Sequence, residues 1–219
     1  MDLIDIGAKL ALFYVPFLFA LCFHEYAHGL VAKWKGDNTA EQLGRLTMNP
    51  VAHVDMIGTV VLPISAILFN IPLLFGWAKP VPVNTRNLKN IRADMFWIAL
   101  AGPLSNIILA CLGTLIVFLS LRLGFLGDYT GSVFELMKMF VKINLVLALF
   151  NMIPVNPLDG GKVLARFLPA SINYKLEQNE QMISLALFVL LMSGALHVLS
   201  IPVNALYMIL MSFAIPGVA

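Results

Sequence analysis

Charged residues are scarce in this chain. Aspartate, glutamate, lysine and arginine together make up 12% of its 219 residues, whereas a soluble domain carries about a quarter. Hydrophobic residues make up 60%. This composition excludes an ordinary soluble domain and predicts a membrane protein. A net charge of +2 says little about partners other than the lipid bilayer, and we expect no nucleic-acid partner.

Cysteines, leader signals and repeats are also scarce or absent. Cys22 and Cys111 are the two cysteines, and both lie in apolar runs without CxxC spacing, so we expect no structural disulfide. The N-terminus lacks the basic region of a secretory signal, and we expect the first apolar run to be retained. The sequence has no internal repeat and no low-complexity segment, so neither an inverted-repeat transporter nor disorder has support.

Several apolar runs approach or exceed the ~20 residues that a helix needs to cross a bilayer. We therefore predict an all-α polytopic membrane protein, a bundle of about four to six membrane segments in one domain spanning residues 1–219. Its core would be residues 1–165, with accessory membrane segments in residues 181–219. Residues 41–55 have too few apolar positions to span, and short strands or a loop are expected there, between the first and second apolar runs.

Two apolar stretches leave the topology open. Residues 56–75 are interrupted by Pro63, Asn70 and Pro72, and basic residues flank them on both sides. Because basic flanks favour the cytoplasm, a re-entrant or hairpin excursion is expected here in preference to a clean crossing. Residues 181–219 fit either one span with an interfacial segment or two short spans.

The first apolar run contains the motif His24-Glu25-Tyr26-Ala27-His28. On a helix, two histidines four residues apart leave the same face and can bind one metal ion. A carboxylate beside them can take a proton from a metal-bound water, as a metal-dependent hydrolase requires. A charged residue within an apolar span is costly, which indicates a function for it. Counted from Lys33, His28 and His24 lie about 8 Å and about 14 Å below the basic end of the helix.

A second group of polar residues returns to the same membrane face. The run of residues 133–153 ends in a Pro- and Gly-rich stretch that contains Asp159, and Lys162 and Arg166 follow it. Basic residues mark this end and the end of the first span as cytoplasmic. Asp159 can therefore share a depth with the histidines and act as a third metal ligand, which leaves the fourth position for water.

Three asparagines lie within or at the ends of apolar runs: Asn106, Asn144 and Asn151. They are candidates for binding a substrate backbone or supporting an oxyanion. Interhelical hydrogen bonding explains Asn106 and Asn144 equally well. Asn151 could instead cap the backbone freed by Pro154.

With these residues in view, the chain resembles the site-2 protease family, the intramembrane zinc metalloproteases of peptidase family M50. The resemblance covers about two thirds of the chain and rests on three motifs in the family's order: His24-Glu25-Tyr26-Ala27-His28; Gly102, Pro103 and Asn106; and Asn151, Pro154, Leu158, Asp159 and Gly160. Asn156 departs from the pattern, because many members have a second proline there. The chain is most similar to a minimal subgroup without a PDZ or CBS domain.

The resemblance implies one Zn2+ per chain, with His24, His28 and Asp159 as ligands and Glu25 as the catalytic carboxylate. It implies hydrolysis of peptide bonds within or near transmembrane segments of membrane-tethered substrates. We expect a multi-pass protein of a prokaryotic cell membrane with its active site near the cytoplasmic face. Regulation would rest on membrane partners or on substrate size. The sequence does not indicate the substrate, the oligomeric state or the gating mechanism.

The alternative is a metal-ion or proton transporter that uses the same His, Glu and Asp cluster for translocation. A transporter would be expected to have polar residues along a path to both membrane faces. Here the ionisable residues cluster on one side, which favours the protease.

Overall fold

A computed structural model describes residues 3–69, 76–124 and 130–215. Throughout these residues the regular secondary structure is helical, and they contain no strand. In order, the α-helices of this part are α1 (Leu3–Trp34), α2 (Thr39–Gln42), α3 (Leu62–Leu68), α4 (Ile91–Leu123), α5 (Thr130–Asn151), α6 (Asp159–Ala165), α7 (Ala170–Gln178), α8 (Glu180–Met192) and α9 (Ser200–Ala214).

Within the described ranges, three helical stretches are long and apolar enough to cross a bilayer: Leu10–Trp34, Ile91–Leu123 and His197–Ala214. The chain is therefore an integral membrane protein. Helix α5 has 22 residues, but it carries Glu135, Lys138 and Lys142. The total of four to six membrane segments stays a prediction.

Helices α1, α4 and α5 form the centre of the bundle. Phe13 and Phe17 of α1 pack with Ile143 and Leu147 of α5 in one buried cluster. Gly113 of α4 lies so close to α5 that an added Cβ atom would be 2.9 Å from the Phe140 ring. Small residues of this kind let helix backbones approach closely within a membrane.

The C-terminal helices meet the bundle differently. Helix α9 packs on α4 and α5, with Val203 buried in a shared cluster. Gly194, at a φ of 76°, lies in the break between α8 and α9. Helix α8 is shorter and apolar, and α9 with the helical turn before it is the stretch of spanning length.

Helix α1 ends at a left-handed glycine. Gly36 has a φ of 104°, and the N–H of Asp37 donates to the Ala32 carbonyl at 2.9 Å. This bond satisfies a carbonyl that the end of a helix leaves free. Where α1 ends and α4 begins, the bundle has an end rich in cations, called the basic end from here on. Its basic residues include Lys33, Lys35, Arg45, Lys79, Arg86, Lys89 and Arg92.

The strands considered for residues 41–55 do not form. A helical turn, bends and a 3-10 helix at Pro50–His53 take their place. The Asn49 side chain accepts a hydrogen bond from the Val51 N–H, and Asp55 accepts from the N–H groups of Ile57 and Gly58. Side chains that accept hydrogen bonds from nearby N–H groups in this way favour turns and the starts of helices over a strand.

The excursion that follows returns to its starting point. A π-helix at Met56–Val61 leads into α3, and residues 70–75 lie outside the described part. The Trp77 N–H donates to the Gly58 carbonyl at 3.2 Å, and the Thr59 hydroxyl donates to the Trp77 carbonyl at 2.7 Å. The two ends of residues 58–77 therefore lie side by side, which is the geometry of a hairpin.

Asp37 ties the end of α1 to the chain before α4. It is 1% exposed, and its carboxylate accepts hydrogen bonds from Thr39, from the Asn84 N–H at 2.7 Å and from the Asn87 amide at 2.8 Å. Burial alone would raise the pKa of Asp37. The hydrogen bonds from Thr39, Asn87 and Asn84 outweigh burial and lower this pKa below its ordinary value.

Replacement Asp37→Asn should therefore destabilise the protein by about 2 kcal/mol at pH 7, because an amide cannot accept all of these bonds. Since the pKa of Asp37 is lowered by folding, its stabilisation is present above the ordinary carboxyl pKa of about 4 and is lost as the pH falls through the folded value. Thermal unfolding in detergent at decreasing pH measures both effects. Exposed Glu41→Gln is the control, and equal melting temperatures for the two variants would contradict the prediction.

Candidate active site

His24 and His28 lie on one face of α1, as their spacing predicts. Their rings meet edge to face with centroids 4.6 Å apart, and their Nε2 atoms are 3.0 Å apart. Phe17 and Leu21 anchor the preceding turns of this helix in the core. The pair is therefore held at a fixed depth in the bundle.

Asp159 is brought to this pair by a tight turn. It is the first residue of α6, directly after residues 152–158, which link α6 to α5. A Cβ atom at Gly160 would collide with the carbonyl groups of Met152 and Ile153. Glycine at this position allows the turn to close and lets Asp159 face α1.

The two histidines and Asp159 converge on one point. Oδ2 of Asp159 lies 3.1 Å from Nε2 of His24 and 3.2 Å from Nε2 of His28. The three donor atoms lie within 4.8 Å of one another. The three side chains thus form a cluster that could hold a metal ion.

A hydrogen-bond relay fixes the tautomer of His24. The Asn144 amide donates to the Phe140 carbonyl at 2.8 Å, and the Asn106 amide donates to Oδ1 of Asn144 at 2.9 Å and to the Ala20 carbonyl at 3.2 Å. Oδ1 of Asn106 therefore faces Nδ1 of His24, at 2.7 Å. Because this oxygen only accepts, Nδ1 carries the proton and Nε2 presents its lone pair.

His28 is oriented in the same way. Its Nδ1 donates to the Ile98 carbonyl at 2.6 Å, so its Nε2 also presents a lone pair. Two imidazole lone pairs and a carboxylate oxygen then face one another without a donor between them. A bound cation satisfies this arrangement, and histidine ligands with their other nitrogen bound to a carbonyl are typical of metal sites.

Gly102 leaves the room that this cluster needs. A Cβ atom there would lie 2.6 Å from Nε2 of His24 and would also collide with Nε2 of His28. The position lies on α4, one turn before Asn106. One turn of α4 thus supplies both the open space and the acceptor for His24.

Glu25 lies beside the cluster. It is 9% exposed, and its Oε2 accepts a hydrogen bond from the Val81 N–H at 2.7 Å. Val81 belongs to the extended segment of residues 76–84. The main chain of this segment therefore orients the carboxylate.

Contacts from the 3-10 helix at Pro50–His53 and from Arg45 hold the 76–84 segment. The Lys79 N–H donates to the His53 carbonyl at 2.9 Å, and the Arg45 guanidinium donates to the carbonyls of Lys79 at 2.7 Å and Pro80 at 3.2 Å. Arg45 thus fixes the two residues that precede Val81. This role could not be predicted from the sequence, because a lone arginine in a polar loop carries no motif.

A cavity of about 750 Å3 opens next to the cluster. Side chains of α1, the 76–84 segment, α4, α5 and α8 line it, and most of them are apolar. Its polar lining includes His24, His28, Glu25 and Asp159. Lys162 also lines it, with Nζ 3.9 Å from Oδ1 of Asp159, a contact that the sequence did not predict.

The three asparagine candidates separate in the structure. Asn106 and Asn144 are 0% exposed and take part in the relay, so the geometry favours the interhelical role for both. Asn151 lines the cavity, and its amide donates to the Leu147 carbonyl at 3.0 Å. Asn151 alone of the three borders the space that a substrate would enter.

An oriented donor set with an adjacent carboxylate, inside an apolar helix bundle, defines the class of a membrane-embedded metal-dependent hydrolase. The model of Peptidase family M50 matches residues 126–194, which include Asn151 and Asp159. "Putative zinc metalloprotease YwhC" of Bacillus subtilis (strain 168) is 35% identical over 180 residues, covering 80% of this chain and 78% of that protein. "Putative zinc metalloprotease Rip2" of Mycolicibacterium smegmatis is 30% identical over 183 residues, covering 82% and 66%. No solved structure matches the chain.

Because identity to the Bacillus protein extends along most of both chains, the chain belongs to peptidase family M50, the family of the site-2 proteases. It is an intramembrane zinc metalloprotease, and the family prediction is confirmed. Nothing in these comparisons favours the transporter.

Replacement Asn106→Leu should lower zinc affinity about 10- to 100-fold, because it removes the acceptor that orients His24. Asn144→Leu should have a smaller effect, since Asn144 acts through Asn106. Competition titration against a chromogenic chelator measures the affinity. The control is Thr114→Val on the same helix, where the hydroxyl bonds only to its own helix at Ala110. Equal affinities for Asn106→Leu and Thr114→Val would contradict the tautomer role.

Replacement Gly102→Ala should abolish stoichiometric zinc binding while the protein still purifies as a folded membrane protein. The added methyl group would occupy the space next to both Nε2 atoms. Elemental analysis of the purified protein measures zinc per chain. The control is Gly131→Ala on α5, where an added Cβ atom meets nothing within 4 Å. A full zinc content in Gly102→Ala would show that the site does not lie here.

Proposed function

We propose that this protease hydrolyses peptide bonds within or next to transmembrane segments of membrane-tethered substrates. The observation that carries the proposal is the convergence of two oriented imidazoles and Asp159 beside Glu25, in a cavity lined mostly by apolar side chains of a membrane protein. A soluble substrate would have to enter the bilayer to reach a site at this depth. A membrane-tethered one is already confined to the bilayer.

His24, His28 and Asp159 are the residues that would hold the zinc ion. Both imidazoles offer Nε2 with Nδ1 bound to a carbonyl, and Asp159 supplies the carboxylate oxygen. When bound, zinc supplies a Lewis acid that lowers the pKa of a water from ~15.7 toward ~7 and polarises a carbonyl group. A set of three protein ligands, with a fourth position free for water, is typical of catalytic zinc sites.

Glu25 is the proposed general base. Its carboxylate takes the proton of the attacking water and passes it to the amine that leaves. The Val81 N–H holds one carboxylate oxygen, and Arg45 holds the carbonyls of the two preceding residues. Arg45 is therefore a positioning residue, because it acts on Glu25 only through the backbone of the 76–84 segment.

The substrate has to be locally extended where it is cut. In a helix each peptide carbonyl is bound to an N–H four residues on, so it is shielded from attack. The apolar walls of the cavity fit hydrophobic side chains next to the scissile bond. Asn151 is the candidate for binding a backbone group that unwinding sets free.

We place the basic end at the cytoplasmic face of a prokaryotic cell membrane. Loops rich in lysine and arginine remain on the cytoplasmic side, and at least seven of the 14 lysines and arginines lie at this end. Counted along α1 from Lys33, His28 and His24 then lie about 8 Å and about 14 Å inside that face. Water has a short path to the site from this side.

Replacement Glu25→Gln should lower cleavage at least about 100-fold while zinc content remains near one per chain, because the amide cannot accept the proton. Quantitative proteomics of membranes that contain the active protein or this variant should reveal transmembrane fragments that differ between them. The exposed Glu177→Gln serves as the control. Unchanged cleavage of such a substrate by purified Glu25→Gln would exclude Glu25 as the base.

Metal removal separates the protease from the transporter. A chelator should stop cleavage by the purified protein, and added zinc should restore it. Uptake of ions into vesicles without any proteolysis would contradict the proposed function.

A further inference from the structure

One face of α5 carries charged side chains on the surface of the bundle. Glu135, Lys138 and Lys142 follow one another at spacings of three and four residues, so they line one side of the helix. Glu135 and Lys142 are exposed, and the Lys138 side chain is 32% exposed. Val146, which is 45% exposed, continues the line toward the basic end. These four residues are called the charged stripe.

Lys142 lies near the level of the midpoint of α4, a helix long and apolar enough to cross a bilayer. Asn144, two residues further on, is hydrogen bonded to Asn106, which is close to the midpoint of the 33-residue helix α4. Half of the hydrocarbon core is about 15 Å thick, farther than a lysine side chain reaches. The ammonium group of Lys142 therefore cannot reach the lipid headgroups.

The described part of the chain only partly compensates this charge. Nζ of Lys142 lies 4.9 Å from the centre of the Tyr207 ring, in a cation–π contact. No carboxylate of the described residues forms an ion pair with Lys142. Glu135 is bound to Lys138, with Nζ to Oε1 at 2.7 Å. The stripe thus has one excess positive charge at mid-membrane depth.

This face is separate from the active site. Three residues of α5 line the cavity, Leu147, Phe150 and Asn151, at about 140°, 80° and 180° around the helix from Lys142. They also lie five or more residues further along α5 toward the basic end. A substrate in the cavity would therefore leave Lys142 uncovered. Charged residues within membrane segments face a protein interior, a partner or water, because lipid does not solvate them.

We propose that the charged stripe is the docking surface for a transmembrane helix of another membrane protein, one that carries a carboxylate at mid-membrane depth. The excess charge of the stripe selects an acidic partner. A second copy does not fit, because a two-fold axis along the membrane normal would bring two copies of Lys142 to the same depth. Their like charges would repel in a medium of low dielectric constant.

The test uses the full chain in lipid vesicles and a synthetic transmembrane helix of leucine and alanine with one aspartate at its centre. Energy transfer between the labelled protein and the labelled helix measures binding. The aspartate helix should bind about tenfold more tightly than helices with leucine or asparagine at the same position. Replacement Lys142→Met should remove this preference, because it keeps the length of the side chain and removes the charge.

Two controls keep the result specific. Lys89→Met removes an exposed charge at the basic end and should leave the preference for the aspartate helix unchanged. Lys142→Glu should reverse the preference in favour of a helix with a central lysine. The proposal would be overturned if the aspartate helix bound no more tightly than the leucine helix or the asparagine helix. It would also be overturned if Lys89→Met lost the preference for the aspartate helix as fully as Lys142→Met. Disulfide crosslinking between two chains that carry Val146→Cys would overturn it too, since it would assign the stripe to self-association. This test does not depend on proteolysis.

Discussion

A chain of hydrogen bonds links three helices at one depth: it runs from the Phe140 carbonyl through Asn144 and Asn106 to Nδ1 of His24. Inside a bilayer a polar group finds no water, so each amide in this chain must be satisfied by the next. The rotation of α1, α4 and α5 is fixed by the same bonds that select the tautomer of His24. The packing of the three helices therefore also fixes the orientation of His24 in the proposed metal centre.

The site has two kinds of support. Helices supply the histidines, whereas irregular backbone supplies the orientation of Glu25 and the approach of Asp159. Irregular backbone within a membrane protein is tolerated where protein satisfies its polar groups, and Arg45 and the His53 carbonyl do this for the 76–84 segment. The proposed base and one of the proposed ligands thus depend on segments that sequence patterns describe poorly. The charged stripe is a corresponding case on the outside of the bundle. The described residues place no carboxylate beside Lys142, and the proposed partner would provide one.

The local part of the site could be predicted because it depends on spacing alone. His24 and His28 share a helix face at four residues, and Glu25 follows from its place between them. The charge pattern also brought Asp159 to the same membrane end. The preference of Asn106 and Asn144 for each other and for His24 could not be predicted, because an amide in an apolar run suits a substrate and a neighbouring helix equally well. Residues 41–55 were ambiguous for another reason. Hydrogen bonds from nearby N–H groups to their side chains decide between turn and strand, and the sequence does not show which of these bonds form.

By itself the sequence determined the membrane class, the helical periodicity of the metal motif and the family, since composition and short spacings are properties of the chain alone. Only the tertiary structure decided which atoms meet. His24 contacts Asn106 and Asp159, which are 82 and 135 residues away along the chain. Contacts over such separations depend on how helices rotate and pack, and that is set by the summed packing of many side chains. The motif His24 to His28 therefore specified two imidazoles on one helix face, and the fold oriented them and brought Asp159 and Glu25 beside them.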